Sequence, residues 1–202
     1  MTISSIDESQ RQAARVVGFT YLLAMVTANF AEFYVAGSLI VADNAAETAR
    51  NIMAHERLFR LGIASEFVTW AADAALLTAL YVVLEPVNRS LALLAACWRL
   101  IETSILVVMT LGSFDVLRVL SGADYLRVFE PDRLQALARL YIGSHGAGFK
   151  VGLMFFGLGS TVFGYLWLKS GYIPRALAVL GVFGSSRIFS YRAISRLSLF
   201  SS

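Results

Sequence analysis

The sequence predicts an all-α integral membrane bundle with four full transmembrane helices, a partial fifth span and two interfacial amphipathic helices. Hydrophobic residues make up 57% of the 202 residues and charged residues only 15%, whereas soluble domains carry about 25% charged residues. The mean hydropathy is +0.67, and a chain this short has too much surface to hide that much apolar material in one core. The composition therefore excludes a soluble enzyme, a disordered tail and a disulfide-built secreted domain.

The first span is predicted over residues 16–41, in which Glu32 is the only charged residue. Acidic residues precede the first arginines and no small-residue cleavage site follows, so we expect a retained span and not a removed signal peptide. Asn44 and Glu47 then have the spacing of a capping box, which predicts a short interfacial helix within residues 43–60.

The second and third spans are predicted to form a hairpin. Residues 61–84 and residues 91–114 are each long and apolar enough to cross a bilayer. Pro86 and Asn88 lie between them, and this composition is typical of a tight turn. A short turn makes the two spans antiparallel neighbours.

The rest of the chain, residues 115–202, is predicted to hold one further full span. Residues 115–139 form a polar stretch. Pro131 within it suits the first position of a helix, so a second interfacial helix is expected to begin there. The fourth span covers residues 147–168, and residues 175–184 have about half the length needed to cross. Residues 185–202 form a basic amphipathic tail, which favours contact with an anionic membrane surface. We treat residues 1–202 as a single membrane domain.

The net charge of +3 predicts lysines and arginines that flank membrane spans, and it gives no reason to expect nucleic acid as a partner. The single Cys97 permits no intramolecular disulfide. Arg89, Lys169 and Arg175 fall in the two short turns on one side of the bundle. The positive-inside rule then favours an N-terminus on the inside.

Ionisable residues within the spans are the candidate functional residues, because charge at membrane depth is costly and faces protein or water. Glu66 and Asp73 lie seven residues apart, within about 20° on one helix face and about 10 Å apart along the axis, too far for a close acid–base pair. The candidate binding residues of this polar interior are Glu32, Glu66, Asp73, Arg99, Glu102, His145 and Lys150.

The predicted hairpin sets the depth of these groups. Equal steps back from a turn near residue 87 place Asp73 level with residue 101, which predicts an Asp73–Arg99 ion pair with Glu102 as a second acceptor. The same count predicts a second, shallower layer formed by Glu32, Glu66, Lys150 and His145.

Together the two layers hold four acids and two fixed bases. At least one carboxyl group is then expected to carry a proton, use His145, contact water or bind a cation. The alternative is structural: Glu32 and Lys150 snorkel near span ends, and Asp73–Arg99 is a structural pair. Both interpretations stay open at this stage.

Gly148, Gly152 and Gly159 share one helix face, a pattern that favours close helix packing within the bundle, with a partner membrane helix or in a homo-oligomer. Metal binding at His145 is disfavoured because no second histidine lies at its level and no HExxH motif is present. The sequence contains no phosphate-binding glycine loop, nucleophile elbow or CxxC motif. We therefore expect no metal, no cofactor and no catalytic residue that a motif would identify.

Several segments of the chain look familiar in combination, among them LFRLGIASEFV from Leu58, EPVNRSLALLAACWRLIE from Glu85 and HGAGFKVGLMFFGLG from His145. With these segments the chain resembles a bacterial polytopic membrane family, domain of unknown function 4386. The resemblance covers about residues 11–184 and implies a multi-span helical bundle in the bacterial inner membrane, without an established activity or ligand. The chain is expected to depart from the family after Gly184, where its basic tail looks like a truncated or frame-shifted end.

Three functions remain for such a protein. The first is a small binding or transport-like bundle whose carboxylates handle a proton, a cation or a small polar solute within the lipid bilayer. The second is a structural or regulatory subunit that packs a partner through its glycine face. The third is a membrane-embedded enzyme that uses His145 and carboxylates, and the missing motifs disfavour it.

Overall fold

The computed structural model describes residues 8–41 and 44–172, and within these ranges the chain is helical with no β-strand. The predicted partial span at residues 175–184 and the tail at residues 185–202 lie outside the described residues. The helices are α1 (Glu8–Asn29), a π-helical segment (Phe30–Ala36), α2 (Gly37–Leu39), α3 (Ala45–Ala54), α4 (Glu56–Leu84), α5 (Arg89–Leu120), a short 3₁₀ turn (Asp124–Leu126) and α6 (Pro131–Ser170).

Four helical stretches are long and apolar enough to cross a membrane: Gln10–Leu39, Glu56–Leu84, Arg89–Leu120 and Pro131–Ser170. Their lengths of 29 to 40 residues exceed the roughly 20 residues that a hydrocarbon core of about 30 Å requires. The all-helical class and four helices of spanning length are thus confirmed. Each observed helix is longer than the predicted apolar run, because it continues into polar residues at its ends.

The predicted helix starts are confirmed where a side chain sets them. The Asn44 side chain accepts a hydrogen bond from the Glu47 backbone N–H at 3.0 Å, so Asn44 caps α3 as predicted. Glu47 Oε2 accepts from the Asn44 side-chain amide at 2.9 Å and not from the backbone N–H of a full capping box. Asn88 Oδ1 accepts from the Leu91 N–H at 3.0 Å and caps α5 in the same way. The helix after the polar segment begins at Pro131.

The expected second interfacial helix is not a separate element. Residues 131–170 form one continuous helix of 40 residues, because no proline interrupts them and single glycines such as Gly143 weaken a helix without breaking it. The helix ends before Gly171, whose φ of 67° is the left-handed conformation typical of a helix C-terminus.

The first span is also less regular than predicted. Seven residues, Phe30–Ala36, have π-helical hydrogen bonding, and Glu32 lies within them. Apolar periodicity gives no signal for a π-helical turn, so the sequence indicated only a continuous span.

The chain forms two compact units, and each long helix contributes residues to both. Of the described residues, the first unit contains 8–22, Ala72–Ser104 and 150–172, while the second contains 23–41, 44–71 and Ile105–Phe149. Each unit has its own buried core. Core residues of the first unit include Leu77, Leu84, Ala92, Ala95 and Leu166, and those of the second include Val35, Ile52, Phe59, Ile63 and Val116.

Candidate functional site

A buried cluster of three charged side chains lies in the first unit. Asp73 of α4 is 7% exposed, and Arg99 and Glu102 of α5 are 6% and 4% exposed. Arg99 Nη2 donates to both carboxylate oxygens of Asp73, at 2.9 and 3.1 Å, and Arg99 Nη1 donates to Glu102 Oε2. The predicted ion pair and its second acceptor are confirmed, and with them the depth count along the hairpin.

Two further groups hold the Arg99 guanidinium and Asp73 in place. The Thr103 hydroxyl lies 3.2 Å from Asp73 Oδ2 and 3.1 Å from the Arg99 carbonyl oxygen, and its single proton can be donated to either. The Phe156 ring of α6 lies 4.4 Å from Arg99 Cζ, a distance that permits a cation–π interaction. Apolar spacing gave no indication of this role for Phe156, because an aromatic residue in a span is ordinary.

Gly159 lets α6 approach this cluster. A Cβ atom at this position would lie 2.6 Å from Arg99 Cγ and 3.0 Å from the Ala95 carbonyl oxygen. Such separations are too short for non-bonded atoms, so only glycine fits against α5 here without a shift of the backbone.

The cluster holds an excess of acidic groups. Two carboxylates share one guanidinium, and no other basic side chain of the described ranges forms an ion pair with either. With both carboxylates ionised, the cluster would carry a net charge of −1 in surroundings that stabilise charge poorly. One added positive charge, a proton or a small cation, would make the cluster neutral.

A second polar array lies in the second unit around Glu66. Glu66 Oε2 accepts a hydrogen bond from the Thr110 hydroxyl at 2.8 Å, and Thr110 in turn accepts one from Trp70 Nε1 at 3.0 Å. His145 Nε2 lies 3.5 Å from the same Glu66 oxygen, with the two side chains 23% and 19% exposed. The Glu66 carboxylate is therefore held by a hydrogen bond from Thr110 and is still partly exposed.

The structure gathers only part of the predicted shallower layer. Glu66 and His145 are in contact, whereas Glu32 is exposed on the π-helical segment. Lys150 is also exposed, and no ion pair joins it to Glu66 or another acid of the described ranges. Within the described residues, no three His, Cys, Asp or Glu side chains are grouped as a metal site would require.

The glycine face of α6 packs inside the chain. Gly148 lies against the Met109 side chain in the second unit, and Gly159 lies against Arg99 and Ala95 in the first. Gly152 is buried as well. α5 therefore packs against Gly148 and Gly159, as small residues on a helix face permit.

An all-helical chain with four helices of membrane-spanning length and a buried cluster of charged side chains fits a polytopic membrane protein. The chain belongs to the family described as Domain of unknown function (DUF4386), because the model of that family matches residues 16–200. No curated protein and no solved structure matches the chain.

The family match corrects one expectation. It continues past Gly184 to residue 200, so the chain does not depart from the family at Gly184. The motifs that carry the resemblance all lie before this residue.

Proposed function

We propose that this chain is a multi-pass protein of the bacterial inner membrane, with its N-terminus inside, that binds and conducts a proton or a small cation at its buried carboxylates. The observation that carries the proposal is the sharing of one guanidinium by two buried carboxylates. Asp73 and Glu102 both contact Arg99. A purely structural pair needs one acid for one base, whereas this cluster contains one acid more.

The excess charge is assigned to Glu102. Arg99 contacts both oxygens of Asp73 but only Oε2 of Glu102. No residue of the described ranges donates a hydrogen bond to the other Glu102 oxygen. The Glu102 side chain is only 5% exposed, but its oxygen without a donor is not fully buried. This oxygen is poorly hydrated and still accessible, so it gains from a proton or a cation.

Glu66 and His145 support the same function in the second unit. An imidazole next to a half-buried carboxylate is suited to proton exchange, since histidine changes charge near neutral pH. The Thr110 hydroxyl fixes the Glu66 carboxylate by a 2.8 Å hydrogen bond, so the group that exchanges the proton is held in one position.

The test is ion flux in proteoliposomes that contain the full chain. A pH-sensitive dye inside the vesicles reports H⁺ entry under an imposed membrane potential, and tracer uptake reports Na⁺ and K⁺. Wild-type protein should pass one of these ions faster than empty vesicles. Glu102→Gln and Glu66→Gln should each reduce the flux to the rate of empty vesicles, because an amide cannot take up the charge.

The matched control is Glu130→Gln. Its side chain is 77% exposed and lies 3.5 Å from Arg133 at the start of α6, so it should leave the flux unchanged. Equal flux in wild type, Glu102→Gln and Glu66→Gln would refute the proposal. Failure of the wild type to pass any of the three ions would refute conduction.

A further inference from the structure

The first unit has a cavity of about 390 Å³ at one end of its helices. Its lining includes Arg11 and Arg15 of α1, Val83 of α4, Trp167 of α6 and Tyr172. This cavity is separate from the Arg99 cluster, because its lining contains no carboxylate.

The charge of the cavity is positive. Arg11 and Arg15 are four residues apart on α1, so they lie on the same face of the helix. Both side chains are exposed, and neither forms an ion pair with another residue of the described ranges. Two unpaired guanidinium groups on one helix face favour an anion, and the planar fork of arginine fits phosphate oxygens.

The lining from α4, α6 and Tyr172 is aromatic and apolar. The Trp167 and Tyr172 rings meet edge to face with centroids 6.4 Å apart, and Val83 is buried. Tryptophan and tyrosine concentrate where a membrane protein leaves the hydrocarbon core, because their rings are apolar and their polar atoms reach water.

The cavity also lies where the spans end. Val83 is the penultimate residue of α4, Trp167 is in the last turn of α6, and the first spanning stretch begins at Gln10. Three helix ends therefore surround a basic, aromatic cavity at the boundary between the hydrocarbon core and water. Lipid phosphates occupy this level of a bilayer.

We propose that this cavity binds the phosphate head group of an anionic phospholipid. Its volume of about 390 Å³ is near the lower end of the range for small-ligand sites, about 300–1,000 Å³. That suits a head group whose acyl chains remain in the bilayer. Arg11 and Arg15 bind the phosphate oxygens, and Trp167 and Tyr172 pack against the glycerol region. This site does not depend on ion conduction, since none of its residues belongs to the carboxylate clusters.

The test is a binding titration of the full-length protein in a neutral detergent. Short-chain phosphatidylglycerol is the probe, phosphatidylcholine with the same chains is the zwitterionic comparison, and inorganic phosphate in large excess is the competitor. Phosphatidylglycerol should bind clearly more tightly than phosphatidylcholine. The double variant Arg11→Gln/Arg15→Gln should bind phosphatidylglycerol about 30-fold more weakly, at about fivefold for each arginine.

The matched control is Arg127→Gln/Arg133→Gln, which removes the same charge from two arginines that pair with Asp124 and Glu130 outside this cavity. It should bind phosphatidylglycerol like wild type. Equal affinity for the two lipids, or unchanged affinity in the Arg11→Gln/Arg15→Gln variant, would overturn the proposal. Binding of inorganic phosphate as tight as that of phosphatidylglycerol would show that the site takes free phosphate and not a lipid.

Discussion

Replacement of Arg99 by methionine should destabilise the protein by about 3–5 kcal/mol. Arg99 makes three hydrogen bonds to the two buried carboxylates. At about 0.6–1.7 kcal/mol for each hydrogen bond between membrane helices, they contribute roughly 2–5 kcal/mol. Removal of one partner from a buried ion pair costs about 3–5 kcal/mol, because the other charge stays buried without compensation. Both estimates overlap, and the lost contact with Phe156 acts in the same direction.

The assay is reversible unfolding in mixed micelles, with a denaturing detergent as the variable and helix content as the signal. The informative comparison is Glu102→Gln, which removes the excess negative charge and keeps an oxygen that can accept from Arg99. Its free energy of unfolding should stay within about 1 kcal/mol of wild type, since one guanidinium and one carboxylate remain balanced.

The two variants together test the charge count. A loss below about 1 kcal/mol for Arg99→Met would mean that the carboxylates do not need the guanidinium. A loss for Glu102→Gln as large as that for Arg99→Met would mean that both carboxylates are ionised and both are required. Either result would refute the assignment of an excess acid to this cluster.

Two more substitutions test the packing around each site by the same unfolding assay. Gly159→Ala should cost about 1–3 kcal/mol, because the added Cβ would lie 3.0 Å from the Ala95 carbonyl oxygen. The control Gly143→Ala has nothing within 4 Å of its added Cβ and should be neutral or stabilise the protein by up to about 1 kcal/mol. Equal effects of the two substitutions would contradict the close approach of α6 to α5 at Gly159. Thr110→Val should cost about 1–3 kcal/mol, because it leaves the Trp70 N–H without its acceptor and removes the hydroxyl that donates to Glu66. Ser104→Ala removes an exposed hydroxyl that bonds only to its own helix and should change stability little; an equal loss there would argue against the array.

The ion pair between α4 and α5 could be predicted because a short turn joins the two helices. Once the turn is placed near residue 87, antiparallel geometry fixes which residues share a level, and Asp73 falls between Arg99 and Glu102. Counting residues from the turn gives the depth of each residue. The direction in which its side chain points follows from the polar face of each helix, which can also be recognised in the sequence. Local signals served equally well at Asn44 and Pro131, where a single residue decides where a helix begins.

The contribution of α6 could not be predicted in the same way. The segment between α5 and α6 holds a 3₁₀ turn at Asp124–Leu126 and is too long to set the register of one helix against the other. The contact of Phe156 with Arg99 and the fit of Gly159 against Ala95 depend on that register. For the same reason, the glycine spacing predicted a packing face without telling whether the face meets its own chain or a partner.

The two proposed sites in the first unit can be tested separately because distance limits their coupling. Val83 in the lipid cavity and Asp73 in the charged cluster lie ten residues apart on α4, about 15 Å along the helix axis. Two unit charges at that separation interact by about 1 kcal/mol at an effective dielectric constant of about 20, before salt screening. An anionic head group could thus change the affinity of the cluster for a positive charge by about fivefold. It could neither create nor abolish the site, so loss of lipid binding in the Arg11→Gln/Arg15→Gln variant should leave ion flux measurable.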